Sequence, residues 1–218
     1  MTKIKICGLT TFEDALMAAQ VGADMLGFNF FKKSPRYITP DVALPICDAL
    51  RGQLGPACPV LVGLFVNEIV SNVSAVTNKV GLDCAQLSGD ESDDMLRELR
   101  GMAFKAIRPA NIPQALDDVN YYRPLFPSNE RMPSLLLDAN QPGLYGGTGA
   151  AVSLDIALAV RDAVPRLMLA GGLTPENVAG AIEQVRPWGV DVASGVEAEP
   201  GKKDAGRVRA FIQAVRGA

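Results

Sequence analysis

The chain has 218 residues and not one histidine. Imidazole is therefore absent as acid, base or ligand: histidine-based triads and zinc sites are excluded, and acid–base work falls to Cys, Asp, Glu, Lys or Tyr. Cysteine is sparse. Cys7, Cys47, Cys58 and Cys84 are scattered without a CxxC pair, which reads as reduced thiols in a cytoplasm. No apolar run reaches transmembrane length and the charged, polar start of the chain lacks a signal-peptide pattern, so neither a membrane nor export is expected. An excess of basic charge is missing too: 21 Lys and Arg stand against 24 Asp and Glu, for a net −3. Nucleic acid and anionic membranes are thereby poor partners, and an anionic substrate would have to be held by local groups.

What is present is ordinary globular material, 48% hydrophobic and 21% charged, enough for a sizeable core. No linker, low-complexity segment or shift in composition marks a boundary, so one α/β domain over residues 1–218 is expected. Short runs rich in Ile, Val, Leu and Phe recur at Lys3–Cys7, Met25–Phe30, Val60–Val66, Asp83–Leu87, Phe104–Ile107, Ser134–Asp138, Leu167–Ala170 and Val190–Ala193. Such runs suit parallel strands covered on both faces. Amphipathic stretches with helix-start signals lie between them. Thr10-Thr11-Phe12-Glu13 reads as a capping box, and Thr39-Pro40-Asp41 and Thr174-Pro175-Glu176 each offer a cap, a first-turn proline and an acid. Pro45 predicts a kink or a late start in the second helix, and the proline-bearing stretch Arg123–Pro133 reads as a loop. Eight βα units in strict alternation predict a closed (β/α)8 TIM barrel, with a doubly wound open sheet as the alternative.

A barrel of this kind builds its active site at the C-terminal strand ends. Cys7 closes the first strand and Asp138 the sixth; Arg36 follows the second, and Ser88-Gly89-Asp90-Glu91 the fourth. Gly171-Gly172 and Ser194-Gly195 follow the seventh and eighth, where glycine-containing turns leading into helix starts can bind phosphate, or can be simple tight turns. Gly146-Gly147-Thr148-Gly149 after the sixth strand is either a flap or a flexible connection. Cys7 is either a buried inert thiol, the reading that suits Cys47, Cys58 and Cys84, or a reactive group facing the pocket. Asp138 is either a loop cap or a functional acid, since a charge closing a Leu-Leu-Leu strand is costly to bury.

Taken together, several ordered stretches resemble the phosphoribosylanthranilate isomerase family of tryptophan biosynthesis. They are Lys5-Ile6-Cys7-Gly8-Leu9-Thr10, Gly27-Phe28-Asn29-Phe30 with Ser34-Pro35-Arg36-Tyr37, and Val62-Gly63-Leu64-Phe65-Val66-Asn67. Leu135-Leu136-Leu137-Asp138 with Gly146-Gly147-Thr148-Gly149, Ala170-Gly171-Gly172-Leu173-Thr174-Pro175-Glu176-Asn177 and Asp191-Val192-Ala193-Ser194-Gly195-Val196-Glu197 complete the set. The resemblance implies an Amadori rearrangement of a phosphosugar, with Cys7 as general base, Asp138 as general acid and Arg36 on the anthranilate carboxylate. It implies no metal, nicotinamide or pyridoxal cofactor, a cytoplasmic location, and a monomer or homodimer. Helix N-termini are expected to lower the thiol, and burial to raise the carboxyl. One departure stands out: Gln86-Leu87-Ser88-Gly89 carries serine where that family usually has histidine, and Ser88 is expected to be a bystander to proton transfer. Other phosphosugar barrels, such as indole-glycerol-phosphate lyases and synthases or the histidine-pathway isomerase, use paired carboxylates or a lysine, which Cys7 argues against. A non-catalytic anion-binding barrel is the alternative from outside the enzymes.

Overall fold

Each Ile/Val/Leu run forms a strand because its neighbours cover both faces. The computed structural model describes residues 1–139 and 152–218. The strands are β1 (Lys3–Cys7), β2 (Met25–Asn29), β3 (Val60–Phe65), β4 (Cys84–Leu87), β5 (Ala103–Ile107), β6 (Leu135–Leu137), β7 (Leu167–Leu169) and β8 (Gly189–Val192). They are hydrogen-bonded in chain order into a closed barrel. Every neighbour pair is parallel, and β1 closes on β8 through Lys3↔Gly189, Ile4↔Val190, Lys5↔Asp191 and Ile6↔Val192. The barrel expectation holds; the open sheet does not.

Around it lie α1 (Phe12–Val21), α2 (Pro40–Leu54), α3 (Val70–Val80), α4 (Asp93–Glu98), α5 (Ile112–Tyr122), α6 (Leu154–Ala163), α7 (Val178–Val185) and α8 (Ala205–Gly217). The core has two parts, separated by the period-2 alternation of the strands. Ile4, Ile6, Leu26, Leu61, Leu135, Leu137, Val190 and Val192 face outward and pack under the helices. Met25, Val60, Val62, Cys84, Phe104, Leu136 and Met168 fill the interior. Each such side chain contributes about 1.5–3 kcal/mol by leaving water.

The helix starts differ from expectation in detail. Thr11, not Thr10, caps α1, accepting from the Asp14 N–H at 3.2 Å, while the Thr10 hydroxyl donates to the Gly201 carbonyl at 2.6 Å. Thr39 caps α2 as predicted, but that helix begins at Pro40 and continues through Pro45. Pro45 lies one turn in, so the N–H it lacks deprives only the Asp41 carbonyl of a partner. Thr174 does not cap α7; the Thr174–Asn177 segment is a turn in which Asn177 Oδ1 accepts from the Thr174 N–H, and the helix starts at Val178. The Arg123–Pro133 loop contains one 3-10 turn, Arg123–Leu125. After β8 a 3-10 turn, Ser194–Val196, leads into an unexpected antiparallel hairpin of β9 (Glu197–Glu199) and β10 (Lys202–Lys203). Gly146-Gly147-Thr148-Gly149 lies outside the described residues.

Candidate active site

Alternation along β1 decides where its polar residues go. With Ile4 and Ile6 outward, Lys5 and Cys7 turn into the barrel, and Cys7 ends the strand at the C-terminal mouth. Gly8 follows with φ of 77°, a left-handed conformation, and a Cβ there would stand 2.5 Å from Arg36 Cδ. Glycine after Cys7 therefore serves both the turn and the seat of Arg36.

Cys7, Asn29, Ser34, Arg36, Gln86, Ser88, Asp138 and Asp191 line one cavity at the mouth. A second, contiguous through Asp138, Asp191 and Ala193, is lined by Ala170–Leu173 and Val192–Gly195. The two make one cleft with side-chain chemistry at one end and glycine turns at the other. A larger apolar cleft between α6 and α7 is lined by no titratable side chain among the described residues. Among the described residues no three of His, Cys, Asp and Glu cluster as a metal site, and no helix is long and apolar enough to cross a membrane.

At the glycine end, Gly171 and Gly172 adopt φ of 89° and 61°. The turn after β8 packs so closely on this one that a Cβ at Gly195 would lie 1.9 Å from the Leu173 carbonyl oxygen. The sequence-predicted phosphate residues thus meet. Their helix starts are not where the sequence suggested. Helix α7 begins only at Val178, beyond the Thr174–Asn177 turn, and Ser194-Gly195 opens a 3-10 turn whose first N–H groups have no partner within it.

At the other end, Arg36 is buried and forks onto Glu197, with Nε–Oε1 at 2.8 Å and Nη2–Oε2 at 2.7 Å. Glu197 also accepts from the buried Lys203 ammonium at 2.9 Å. This hairpin carboxylate holds the Nε/Nη2 edge of the guanidinium, and among the described residues no hydrogen bond is made by Nη1. Ser88 is buried and its hydroxyl is 3.0 Å from Gln86 Nε2, while Gln86 Oε1 is buried without a hydrogen-bond partner among the described residues.

Asp138 lies just past the end of β6, its Oδ1 accepting from the Ala139 N–H at 2.8 Å. Burial pushes its carboxyl up to about 6, as expected. Cys7 departs from expectation. Burial raises its thiol, and the ammoniums of Lys5 and, less strongly, Lys203 pull it down. Burial also raises Cys84 and Cys47, each to about 12, and Cys58, so all three remain thiols, in keeping with an inert role.

Known proteins share this barrel. Residues 4–214 match the family described as N-(5'phosphoribosyl)anthranilate (PRA) isomerase. The chain belongs to that family. An N-(5'-phosphoribosyl)anthranilate isomerase of Trichlorobacter lovleyi is 46% identical over 98% of this chain and 97% of its own. The crystal structure of the phosphoribosyl anthranilate isomerase from Thermotoga maritima superposes with a TM-score of 0.87 at 38% identity, covering 100% of both chains. A second crystal structure of such an isomerase, in complex with reduced 1-(o-carboxyphenylamino)-1-deoxyribulose 5-phosphate, gives a TM-score of 0.84 at 37% identity, again over 100% of both chains. Within the phosphoribosylanthranilate isomerase frame, the polar residues that sequence reasoning passes over are Lys5, Asp191, Glu197 and Lys203. The first two are visible in principle, because Ile4/Ile6 and Val190/Val192 facing out force Lys5 and Asp191 in. Nothing local points to the hairpin pair.

Proposed function

We propose that this chain converts N-(5'-phosphoribosyl)anthranilate to 1-(2-carboxyphenylamino)-1-deoxyribulose 5-phosphate, with Cys7 as general base and Asp138 as general acid. The observation that carries the reading is one cleft in which Cys7, Asp138 and Arg36 share a cavity that continues into the glycine turns. The substrate phosphate sits on the backbone N–H groups of Gly171, Gly172, Ser194 and Gly195. The free edge of Arg36 takes the anthranilate carboxylate by two parallel bonds. Residues 1–218 act as one barrel domain.

The raised carboxyl suits the acid role, and the base acts through the ionised fraction of the thiol. Protonated Asp138 gives its proton to the ribose ring oxygen; the C1′–O bond breaks and the substrate nitrogen closes an iminium. Cys7 as thiolate then removes the C2′ proton, and the C–H electron pair flows toward that nitrogen to give an enolamine. Protonation at C1′ and loss of the enol proton yield the ketone. The substrate nitrogen is the electron sink, so the reaction as written calls on no added cofactor.

Turnover is tested by adding enzyme to freshly generated phosphoribosylanthranilate and following the loss of its fluorescence. Rapid loss is expected with the native chain. A folded enzyme that leaves the signal unchanged overturns the reading. A crystal grown in sulfate should hold the anion at the two glycine turns; an open, empty pocket there with sulfate elsewhere removes the phosphate assignment.

A further inference from the structure

Lys5 has no exposure, and the mechanism above gives it no task. A lysine is almost never fully buried unless paired. Its partner is Asp191 at 2.9 Å, its register neighbour across the β1–β8 seam. An ammonium has three N–H donors, so this bond leaves two. Cys7 lies two residues along the same strand and on the same face, close enough for the Lys5 charge to act on its sulfur. Gly27, the register partner of Cys7 on β2, measures the convergence: a Cβ there would lie 2.8 Å from Cys7 Sγ and 3.1 Å from Lys5 Nζ.

A structural explanation for the pair is weak. A buried ion pair contributes little net stability, and apolar side chains of similar volume do as well. The rest of the interior takes that apolar solution, from Met25 to Met168. We propose that Lys5 is a positioning residue for proton abstraction: anchored by Asp191 across the barrel seam, its ammonium stabilises the Cys7 thiolate and aims the sulfur at the substrate C2′ proton. The proposal rests on Cys7 being the base. In the step the C2′–H bond breaks, the S–H bond forms and the electron pair leaves toward the iminium nitrogen, while Lys5 keeps all its protons. The charges around the sulfur agree. Lys5 is the strongest influence favouring the thiolate, Lys203 a weaker one, and Asp191 opposes it by less than Lys5 favours it. Arg36 and Asp138 complete the charged groups lining the same cavity.

The test is the rate of Cys7 alkylation by iodoacetamide as a function of pH, read by mass spectrometry, beside steady-state kinetics. Lys5→Met should slow alkylation of Cys7 near neutral pH by about tenfold or more, the consequence of a thiol shifted up by about one unit. Half-buried Cys58 should react as before. kcat should fall about a hundredfold with little change in KM, and Lys5→Arg should recover part of it. Lys5→Met/Asp191→Leu, which leaves no unpaired buried charge, should slow alkylation less than Lys5→Met and carries the test if the single variant does not fold. Unchanged Cys7 alkylation in a folded Lys5 variant overturns the proposal. If Cys7→Ala keeps turnover, the assignment of the base fails instead, and the alkylation rates still report whether Lys5 tunes the sulfur.

Discussion

The fold buries three lysines against carboxylates, Lys203 with the Glu197 already described, Lys5 inside the barrel and Lys105 outside it, and the last two are satisfied very differently. Lys105 on β5 points outward and is bonded to Glu91 at 3.0 Å and to the carbonyls of Gly89, Ala106 and Leu87 at 2.7, 2.9 and 3.3 Å. Its ring neighbour Tyr122 lies 5.7 Å away, and the Tyr122 hydroxyl donates to the Glu91 carbonyl. Glu91 in turn accepts from the N–H groups of Gly89 and Asn67. Every donor of that ammonium is used, and all its partners are backbone or a loop carboxylate: it ties the β4–α4 loop to the barrel wall. Lys5 has one carboxylate and a thiol. Burial pulls Lys105 below the ordinary lysine range, whereas at Lys5 the burial cost is more than offset by Asp191 and Cys7, and its charge is strengthened. A saturated buried charge is architecture; an unsaturated one beside a reactive atom is available to chemistry.

The sharpest break of that comparison comes from the reacting pair. Cys7→Ala and Asp138→Asn should each lose about a thousandfold or more in kcat with substrate binding largely kept, in line with acid–base contributions of about 10²–10⁴. Fluorescence turnover and ligand titration read the two quantities separately. Near-native turnover in Cys7→Ala would return the cysteine to the inert thiols.

The pH dependence has a definite sign. Asp138 titrates near 6 and the Cys7 thiol above its ordinary range, so on raising the pH the carboxyl loses its proton first. The competent form, protonated Asp138 with ionised Cys7, is a minority arrangement of the singly protonated pair. Its amount rises through the lower value, stays level, and falls beyond the thiol's. kcat/KM should trace that bell in the native enzyme. In Asp138→Asn the falling limb should vanish, leaving a rise that follows Cys7 ionisation alone; a retained falling limb would mean that Asp138 is not the acid.

Outside the barrel the expected damage is to folding. Lys105→Met strands Glu91 as a buried unpaired charge and should cost about 3–5 kcal/mol in denaturant unfolding, with kcat per folded molecule near native. A large loss of kcat without loss of stability would erase the distinction between the two lysines. A smaller effect is expected at the binding end. Arg36→Met should raise KM by about tenfold or more while kcat changes little, because a carboxylate held equally in ground and transition state affects only binding. The smallest effect belongs to Ser88→Ala, with less than about a tenfold change in kcat/KM, since a hydroxyl with no activating base is a poor proton carrier at neutral pH.

Much of this is legible in the chain alone, for local reasons. The Ile4/Ile6 alternation, the Leu135-Leu136-Leu137 run, the Thr39-Pro40 start and the βα order are one-dimensional signals. Cys7 and Asp138 stand out because a polar residue ending an apolar strand is visible in the strand itself. The charges around the thiol are only partly legible, because Lys5 stands two residues away in the same strand while Lys203 and Asp191 reach Cys7 only through the fold. Thr174 is legible only in part: its hydroxyl accepts from the Glu176 N–H as a cap would, but the turn it opens is not taken up into α7, which starts at Val178.

By itself, then, the sequence determined the strands to within a few residues, the βα alternation that favours a barrel, and the polar residues at the strand ends. Each of these depends on neighbours within a few positions along the chain. Only the tertiary structure decided that Lys5 meets Asp191 across the closing seam, that a carboxylate from the β9–β10 hairpin fixes Arg36, and that two glycine turns face each other over one cleft. Those contacts join residues up to 186 positions apart. Their formation depends on the register of β1 against β8, which no local preference specifies and which the closed barrel imposes on both strands at once.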